Sequence, residues 1–390
     1  MRAIVVGAGI GGLTATLSLH RAGHDVTLVE QSWRLTEIGA GIQLAPNATR
    51  VLRRLDLLDA VAEHSTRPAH ISFRTWSDGA EICRYVIGPE AEEEFGAPYL
   101  QVHRADLQRA LVTAVPPGSL RLATAVVGVD QDDRTAHVTT ASGERLDADL
   151  VVAADGIRSA ARQWLFGADE AVFSHTAAYR ALLPAAEVAD LDLPEYAGWL
   201  GPNRHVVHYW LRRGELLNVV AVFETDRAAQ ESWTAQAEPG EQLRTFAGWD
   251  PRLLTVLERA GRVLRYGIHT RAPLPRWNLG RITLLGDSAH AMVPFQAQGA
   301  AQAVMDAAVL GDCLTGATPA EVPDALDRYV RRRAPAATAV QAGSARAGHD
   351  YHLPDGPEAE ERNARLVALA SENRFGPHSA AWPADVLADG

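Results

Sequence analysis

Ala3-Ile4-Val5-Val6-Gly7-Ala8-Gly9-Ile10-Gly11-Gly12 joins an apolar, strand-like run to a glycine turn, and a helix-forming segment follows it. A second strand-like run, Asp25-Val26-Thr27-Leu28-Val29, then ends at Glu30. This order of parts predicts a parallel βαβ unit built around a dinucleotide. Gly7 permits the tight turn, Gly9 lets the backbone approach a pyrophosphate, and Gly12 lets helix and strand pack closely. The start of the helix offers unpaired N–H groups and a positive dipole end to the phosphates. Glu30 stands 18 residues after Gly12, where a carboxylate can bind a ribose hydroxyl.

The rest of the chain narrows the class. Its 390 residues suit two or three domains, or one elaborated α/β unit with a second lobe. A hydrophobic fraction of 47% with 22% charged residues is that of a soluble globular protein. Cys83 and Cys313 are the only cysteines, too few for a disulfide framework or a four-cysteine zinc site. The net charge of −11 argues against nucleic acid and anionic membranes as partners. The 37 basic residues are all arginine, which excludes Schiff-base and P-loop lysine chemistry. The first strand begins at residue 2 or 3 and no apolar run is long enough to span a bilayer, so a cytoplasmic protein is expected.

Further along, Gly39-Ala40-Gly41 suggests backbone passing close to a ligand or another chain, and Asn47 is placed to cap a helix from about 48 to 58. Residues 70–87 read as a hairpin around Ser77-Asp78-Gly79, and Glu90 to Glu94 as a solvated loop. Strand-like runs at 204–211, 216–224 and 263–269 predict a mostly antiparallel second sheet. Buried-strand patterns return before Asp155-Gly156 and before Gly286-Asp287, and a long alanine-rich helix is expected from about Gly299 to Leu314. The fold class is therefore α/β. A Rossmann-like unit (1–70, 100–172, 270–345) carries a mostly antiparallel β-sheet substrate domain (71–99, 173–269) and C-terminal helices with a tail (346–390).

Three separated motifs carry a resemblance: the N-terminal glycines, Asp155-Gly156, and Gly286-Asp287-Ser288-Ala289-His290. Together with Glu37-Ile38-Gly39-Ala40-Gly41-Ile42-Gln43, Val102-His103-Arg104-Ala105-Asp106-Leu107, Ala297-Gln298-Gly299-Ala300 and Tyr351-His352-Leu353-Pro354-Asp355-Gly356, this set resembles the class A flavoprotein monooxygenases. It resembles the branch holding the single-component salicylate and 3-hydroxybenzoate hydroxylases. The resemblance implies bound FAD, with NADH or NADPH as co-substrate. It implies hydroxylation of a small phenolic or heteroaromatic acid by O2 through a flavin C4a-hydroperoxide. Oxidative decarboxylation of a salicylate-like ring, or oxygenation of a larger metabolite, are the alternatives. A monomer or homodimer is expected.

The same resemblance assigns Gly7, Gly9, Gly12, Glu30, Arg104, Val126, Asp155, Asp287, Gly299 and Ala300 to the cofactor. An always-charged guanidinium suits Arg104 for the pyrophosphate, although an ion pair with Asp106 is the simpler use of it. Asp287 would accept from ribityl or ribose hydroxyls, or merely shape a turn. In a strand, residues two and four apart share a face, so His205 and Tyr209 point one way and His208 the other. His205 is the candidate general base with Tyr209 beside it, or else a hydrogen-bonded histidine that only supports the sheet. His208 takes that place if the strand carries a bulge. Gln298 either bonds the substrate or caps a helix. His290 is read as structural or flavin-proximal, and Arg180 as a phosphate or carboxylate partner or a surface residue. Ala291, Phe295, Gln296 and Met305 depart from the family pattern, which bears on substrate more than on cofactor.

Overall fold

The first strand, Arg2–Val6, lies in the middle of a six-stranded sheet, parallel to Asp25–Val29 on one side and Leu150–Ala153 on the other. The computed structural model describes residues 1–35, 40–167, 170–227 and 235–382. Glu37, Ile38 and Gly39 of the small-residue loop therefore lie outside the described residues. The sheet's central strands are buried on both faces, which is why they read as apolar runs without alternation. Val5, Leu28, Leu150 and Val152 pack on helices Ile10–Arg21 and Gly299–Leu314. Ile4, Val6, Val151 and Ile282 pack on a three-stranded antiparallel sheet, Val126–Gln131, Ala136–Thr140 and Arg145–Ala148.

The second sheet has seven strands drawn from 70–86 and 172–270. Strands Arg204–Leu211, Leu216–Glu224 and Leu264–Thr270 lie within a residue of the expected positions. The sheet is antiparallel throughout except that Tyr196–Gly201 runs parallel to His70–Thr75. One face is covered by helices Glu241–Thr245 and Pro251–Arg259, over a core of Trp199, Tyr179, Phe223, Phe246 and Trp249. The opposite face carries His205, Tyr209 and Tyr196 and looks toward the nucleotide unit and the C-terminal helices.

Three local expectations are corrected. Glu90–Glu94 is not a loop but part of helix Pro89–Phe95. Proline sits in its first turn, Glu90 and Glu92 meet the positive end of the dipole, and Ala91 is buried against the core. Asn47 does not cap its helix. The helix begins at Pro46 after Ala45, and Asn47 turns its amide inward to Gln298 and the Ala381 carbonyl, each at 3.0 Å. The helix expected over 48–58 is two helices, Pro46–Arg54 and Leu58–Ala62. At the other end of the chain, Trp382 is buried against Phe95 and Tyr99, so part of the tail is anchored.

Candidate active site

The glycine turn is built by close approach. Gly7 has φ +99°, and a Cβ there would lie 2.5 Å from the Ala154 carbonyl oxygen. A Cβ on Gly12 would lie 1.8 Å from the Gly7 oxygen, and one on Gly11 would press on Leu285 and Ala303. These contacts bring the first turn, the Asp155-Gly156 turn and the Gly286-Asp287 turn together at one end of the sheet. Leu285 N–H donating to the Ala153 carbonyl (2.9 Å) joins the last two. Gly9, Gly156 and Gly299 are different: a Cβ on any of them meets nothing within 4 Å. The three open glycines mark a cradle between the helix starts at Ile10 and Gly299.

Polar groups surround that cradle. Glu30 accepts from the N–H groups of Ala8 (2.9 Å) and Ser32 (2.8 Å), which fixes its carboxylate beside the turn. Residues 123 and 124 bond back to Ser32 and Glu30, so Val126, first in its strand, follows directly from this edge. Asp155 has one carboxylate oxygen buried without a hydrogen bond among the described residues, and burial raises its pKa. Asp287 is exposed at the start of its short helix. Arg104 opens helix Arg104–Ala114 and ties it through its N–H to the Ala40 carbonyl. The alternative pairing of Arg104 with Asp106 gives way to others: Asp106 is held by Arg212 in a two-bond clasp of 2.8 and 3.0 Å and by Arg109.

Behind the cradle stands a buried charge cluster that the sequence did not announce. Asp306, fully buried, accepts from Arg333 Nε (2.7 Å), His290 Nε2 (2.6 Å) and Gly286 N–H (3.0 Å). The neighbouring His290 and Arg333 hold its pKa down to about 2 against the cost of burial. Arg333 also reaches Gln302, and Gln302 donates to Gln298 at 3.1 Å. One carboxylate thus fixes both the Gly286-Asp287 turn and the start of helix Gly299–Leu314. His290 is tied to this cluster through its Nε2.

The facing sheet separates the two candidate histidines. His208 sits on the face covered by Trp199. It accepts from Trp199 Nε1 (3.0 Å) and donates from Nε2 to the Pro194 carbonyl (3.0 Å). Both nitrogens are engaged, and burial lowers its pKa to about 4. No bulge interrupts the strand, so His208 does not reach the cradle side. His205 is on that side, its ring edge-on to Phe295 (5.2 Å) and Tyr351 (5.4 Å). Its Nδ1 lies 2.7 Å from His352 Nε2, and its Nε2 makes no hydrogen bond among the described residues. Tyr209 shares the face, packs against Tyr196, and lies against Gly41, whose Cβ would fall 2.7 Å from the phenol oxygen. Gln298, just before the helix, accepts from Asn47 and Gln302 on Oε1, caps nothing with its side chain, and keeps its amide N–H groups unused among the described residues.

Arg180 belongs to this face too. It pairs with Val220, which pairs with Val207, so the row shares the side of His205 and Tyr209. Its guanidinium lies over the Tyr266 ring at 5.2 Å. Beside it Asn218, cross-strand from Tyr209, accepts from Gly41 N–H on its Oδ1 and has a buried amide nitrogen with no hydrogen bond among the described residues. Asn218, Asp306, Arg333 and His352 were not singled out as site residues by sequence reasoning. Only the Tyr351-to-Gly356 segment carried a signal.

The FAD binding domain family model matches residues 1–344. The chain belongs to this family of FAD-dependent aromatic monooxygenases. It is 40% identical to the 3-amino-4-hydroxybenzoate 2-monooxygenase PtmB3 of Streptomyces platensis, over 94% of this chain and 92% of the relative. Identity to the 6-hydroxynicotinate 3-monooxygenase of Bordetella bronchiseptica is 34%, over 90% and 91%. The Klebsiella pneumoniae HpxO structure, complexed with FAD and uric acid, superposes with a TM-score of 0.85 at 25% identity, covering 97% of each chain. FAD is the cofactor of this enzyme, and NADH or NADPH its co-substrate. Among the described residues no helix is long and apolar enough to cross a membrane.

The residues present fit FAD. Open glycines at two helix starts, the orphaned Asp155 oxygen, and the Glu30 and Asp287 carboxylates supply what phosphates and hydroxyls require. The two glycine classes separate in a test. Gly12→Ala is expected to lose cooperative thermal unfolding, because its Cβ collides with backbone. Gly9→Ala is expected to fold and melt cooperatively but to retain at least tenfold less FAD, read as flavin absorbance per protein.

Proposed function

We propose that this enzyme hydroxylates a small hydroxyaryl carboxylic acid, with NAD(P)H as reductant and dioxygen as oxidant. One observation carries the reading: His205, Tyr209 and Arg180 share one sheet face, with Gly41 against Tyr209 and Phe295 against His205. Arg180 stands two strands from His205 and Tyr209, roughly 10 Å across the sheet at about 4.8 Å per strand. That separation suits a ring with a hydroxyl at one end and a carboxylate at the other. FAD, once reduced and in the presence of dioxygen, supplies an electrophilic oxygen.

The side chains do the remaining work. His205 Nε2 takes the proton of the ring hydroxyl, which makes the ring more nucleophilic. Tyr209 and the Gln298 amide orient the ring, and Arg180 holds the carboxylate in charge-assisted hydrogen bonds. Val220, Val293 and Phe295 pack in one apolar cluster and Val207 in another on this side of the sheet, and such surface would keep water from a bound ring. The amide dipoles at Gly299 and Ala300 favour negative charge beside the helix start.

The test uses 3-amino-4-hydroxybenzoate, 6-hydroxynicotinate and salicylate with the FAD-loaded enzyme. At least one is expected to stimulate NAD(P)H oxidation and yield an oxygenated product, with carbon dioxide measured alongside to detect attack at the carboxyl-bearing carbon. Peroxide as the sole product with every acid defeats the proposal. Arg180→Met is expected to raise KM for the turned-over acid by about 10²-fold, the equivalent of one strong charge-assisted pair. A decarboxylated analogue, which never used Arg180, is expected to show no such change.

A further inference from the structure

His205 is the base in this reading. It is buried among Phe295, Tyr351 and His352, and burial together with His352 pushes its pKa well below the usual imidazole value. A proton taken from a ring hydroxyl has a hydrogen-bonded path onward. His205 Nδ1 lies 2.7 Å from His352 Nε2, and His352 Nδ1 lies 3.0 Å from Glu224 Oε1. The Glu224 side chain is 47% exposed, while that of His352 is 3% exposed. The chain of contacts thus runs from the chamber face to solvent in two steps.

We propose that His205, His352 and Glu224 form a proton outlet that carries the ring hydroxyl's proton from the chamber to the surface. The inference rests on the reading of His205 as the group facing a hydroxyaryl substrate. Glu224 sets the direction. As a carboxylate it only accepts, so His352 carries hydrogen on Nδ1 and a lone pair on Nε2. That lone pair takes the Nδ1 hydrogen of His205 and leaves His205 Nε2 bare toward the chamber. A terminal carboxylate orients an imidazole base in the same manner in a serine-protease triad. Here two imidazoles stand in series.

The outward transfer balances. The O–H bond of the ring hydroxyl breaks, its electron pair stays on oxygen, and the hydrogen bonds to His205 Nε2. The Nδ1 hydrogen of His205 passes to His352 Nε2. The Nδ1 hydrogen of His352 passes to Glu224, which gives it to water. Return of one proton along the same path reprotonates the bound phenolate oxygen and restores both tautomers. The backbone holds the path in register: Asn203 N–H donates to the His352 carbonyl, and Glu224 N–H to the Asn203 carbonyl, at 2.9 and 3.0 Å. His349, from the same long helix, is the other titratable group facing His352, and Tyr351 faces His205. The Tyr351-His352 segment, set apart in the sequence without a role, thereby acquires one as a positioning and relay element.

The experiment mixes FAD-loaded, oxidised enzyme with 3-amino-4-hydroxybenzoate, 6-hydroxynicotinate or salicylate in weak buffer, without NAD(P)H. Phenolate absorbance reads ionisation of the bound ring, and a pH-indicator dye reads proton release. Glu224→Gln and His352→Gln are expected to slow proton release by about 10- to 100-fold with ligand affinity within about threefold of wild type. Glu224→Asp is expected to recover most of the rate, and added imidazole to accelerate Glu224→Gln more than wild type. Glu224 is half exposed, so its variants test the path without risk to the fold. Wild-type release rates in both Glu224→Gln and His352→Gln, with ionisation lost in His205→Ala, overturn the outlet and leave the catalytic reading intact. Failure of all three acids to bind overturns the substrate reading and the outlet with it.

Discussion

Asp306→Asn is expected to lower stability by about 3–5 kcal/mol, the usual cost of removing one partner from a buried ionic cluster. The amide leaves the Arg333 guanidinium without a counter-charge at a position 1% exposed, and it replaces one acceptor with a donor facing His290 or Arg333. Because Asp306 holds Gly286 N–H and, through Arg333 and Gln302, the start of helix Gly299–Leu314, FAD retention is expected to fall with stability. Urea unfolding and flavin absorbance of the same preparation check both. The native pKa of Asp306 is depressed, to about 2 from an ordinary 3.8. Its contribution is therefore complete above pH of about 4 and is lost as pH falls through about 2. In acid titration Asp306→Asn is expected to lose less stability than wild type over that window. Equal acid slopes in the two proteins contradict the assignment of the low pKa to this cluster.

His205→Ala is expected to lower the hydroxylation rate by roughly 10²- to 10⁴-fold, the range for loss of a general base. FAD binding should remain at wild-type level, since His205 contacts Phe295, Tyr351 and His352 rather than the glycine cradle. NAD(P)H oxidation is expected to persist with peroxide as its main product, because reduction of the cofactor does not require ring ionisation. Full coupled turnover in His205→Ala removes this residue from the chemistry. His208→Ala is the informative partner variant. Its bonds to Trp199 and the Pro194 carbonyl are structural, so it is expected to cost stability, about 1–3 kcal/mol for the groups left unsatisfied, with coupling unchanged.

Local signals carried much of this architecture in the sequence. The glycine spacing after an apolar strand specified a turn too tight for a side chain, and a Cβ on Gly7 or Gly12 would lie 2.5 or 1.8 Å from a carbonyl oxygen. Strand alternation placed His205 and Tyr209 together and His208 opposite. Alternation does not say which face looks toward the cofactor. That was decided by helices Glu241–Thr245 and Pro251–Arg259, which cover the His208 face with Phe246 and Trp249. Long-range charge pairing was not legible. Asp306 and Arg333 are 27 residues apart on different helices, and His205 and His352 are 147 apart. Each pair forms only once the long helix Val322–Tyr351 crosses both lobes. The acidic run at Glu90 misled because its charges suggested solvation, whereas Pro89 and the dipole turned them into a helix start.

We propose that the converged glycine and aspartate turns hold FAD beside the sheet face where His205 and Arg180 grip a hydroxyaryl acid. Turnover of 3-amino-4-hydroxybenzoate, 6-hydroxynicotinate or salicylate under oxygen-18 gas, with NAD(P)H and product counted together, tests it most directly. The predicted result is one labelled oxygen in the aromatic product for each NAD(P)H consumed. Unlabelled product, or labelled peroxide with none of the acids oxygenated, contradicts it.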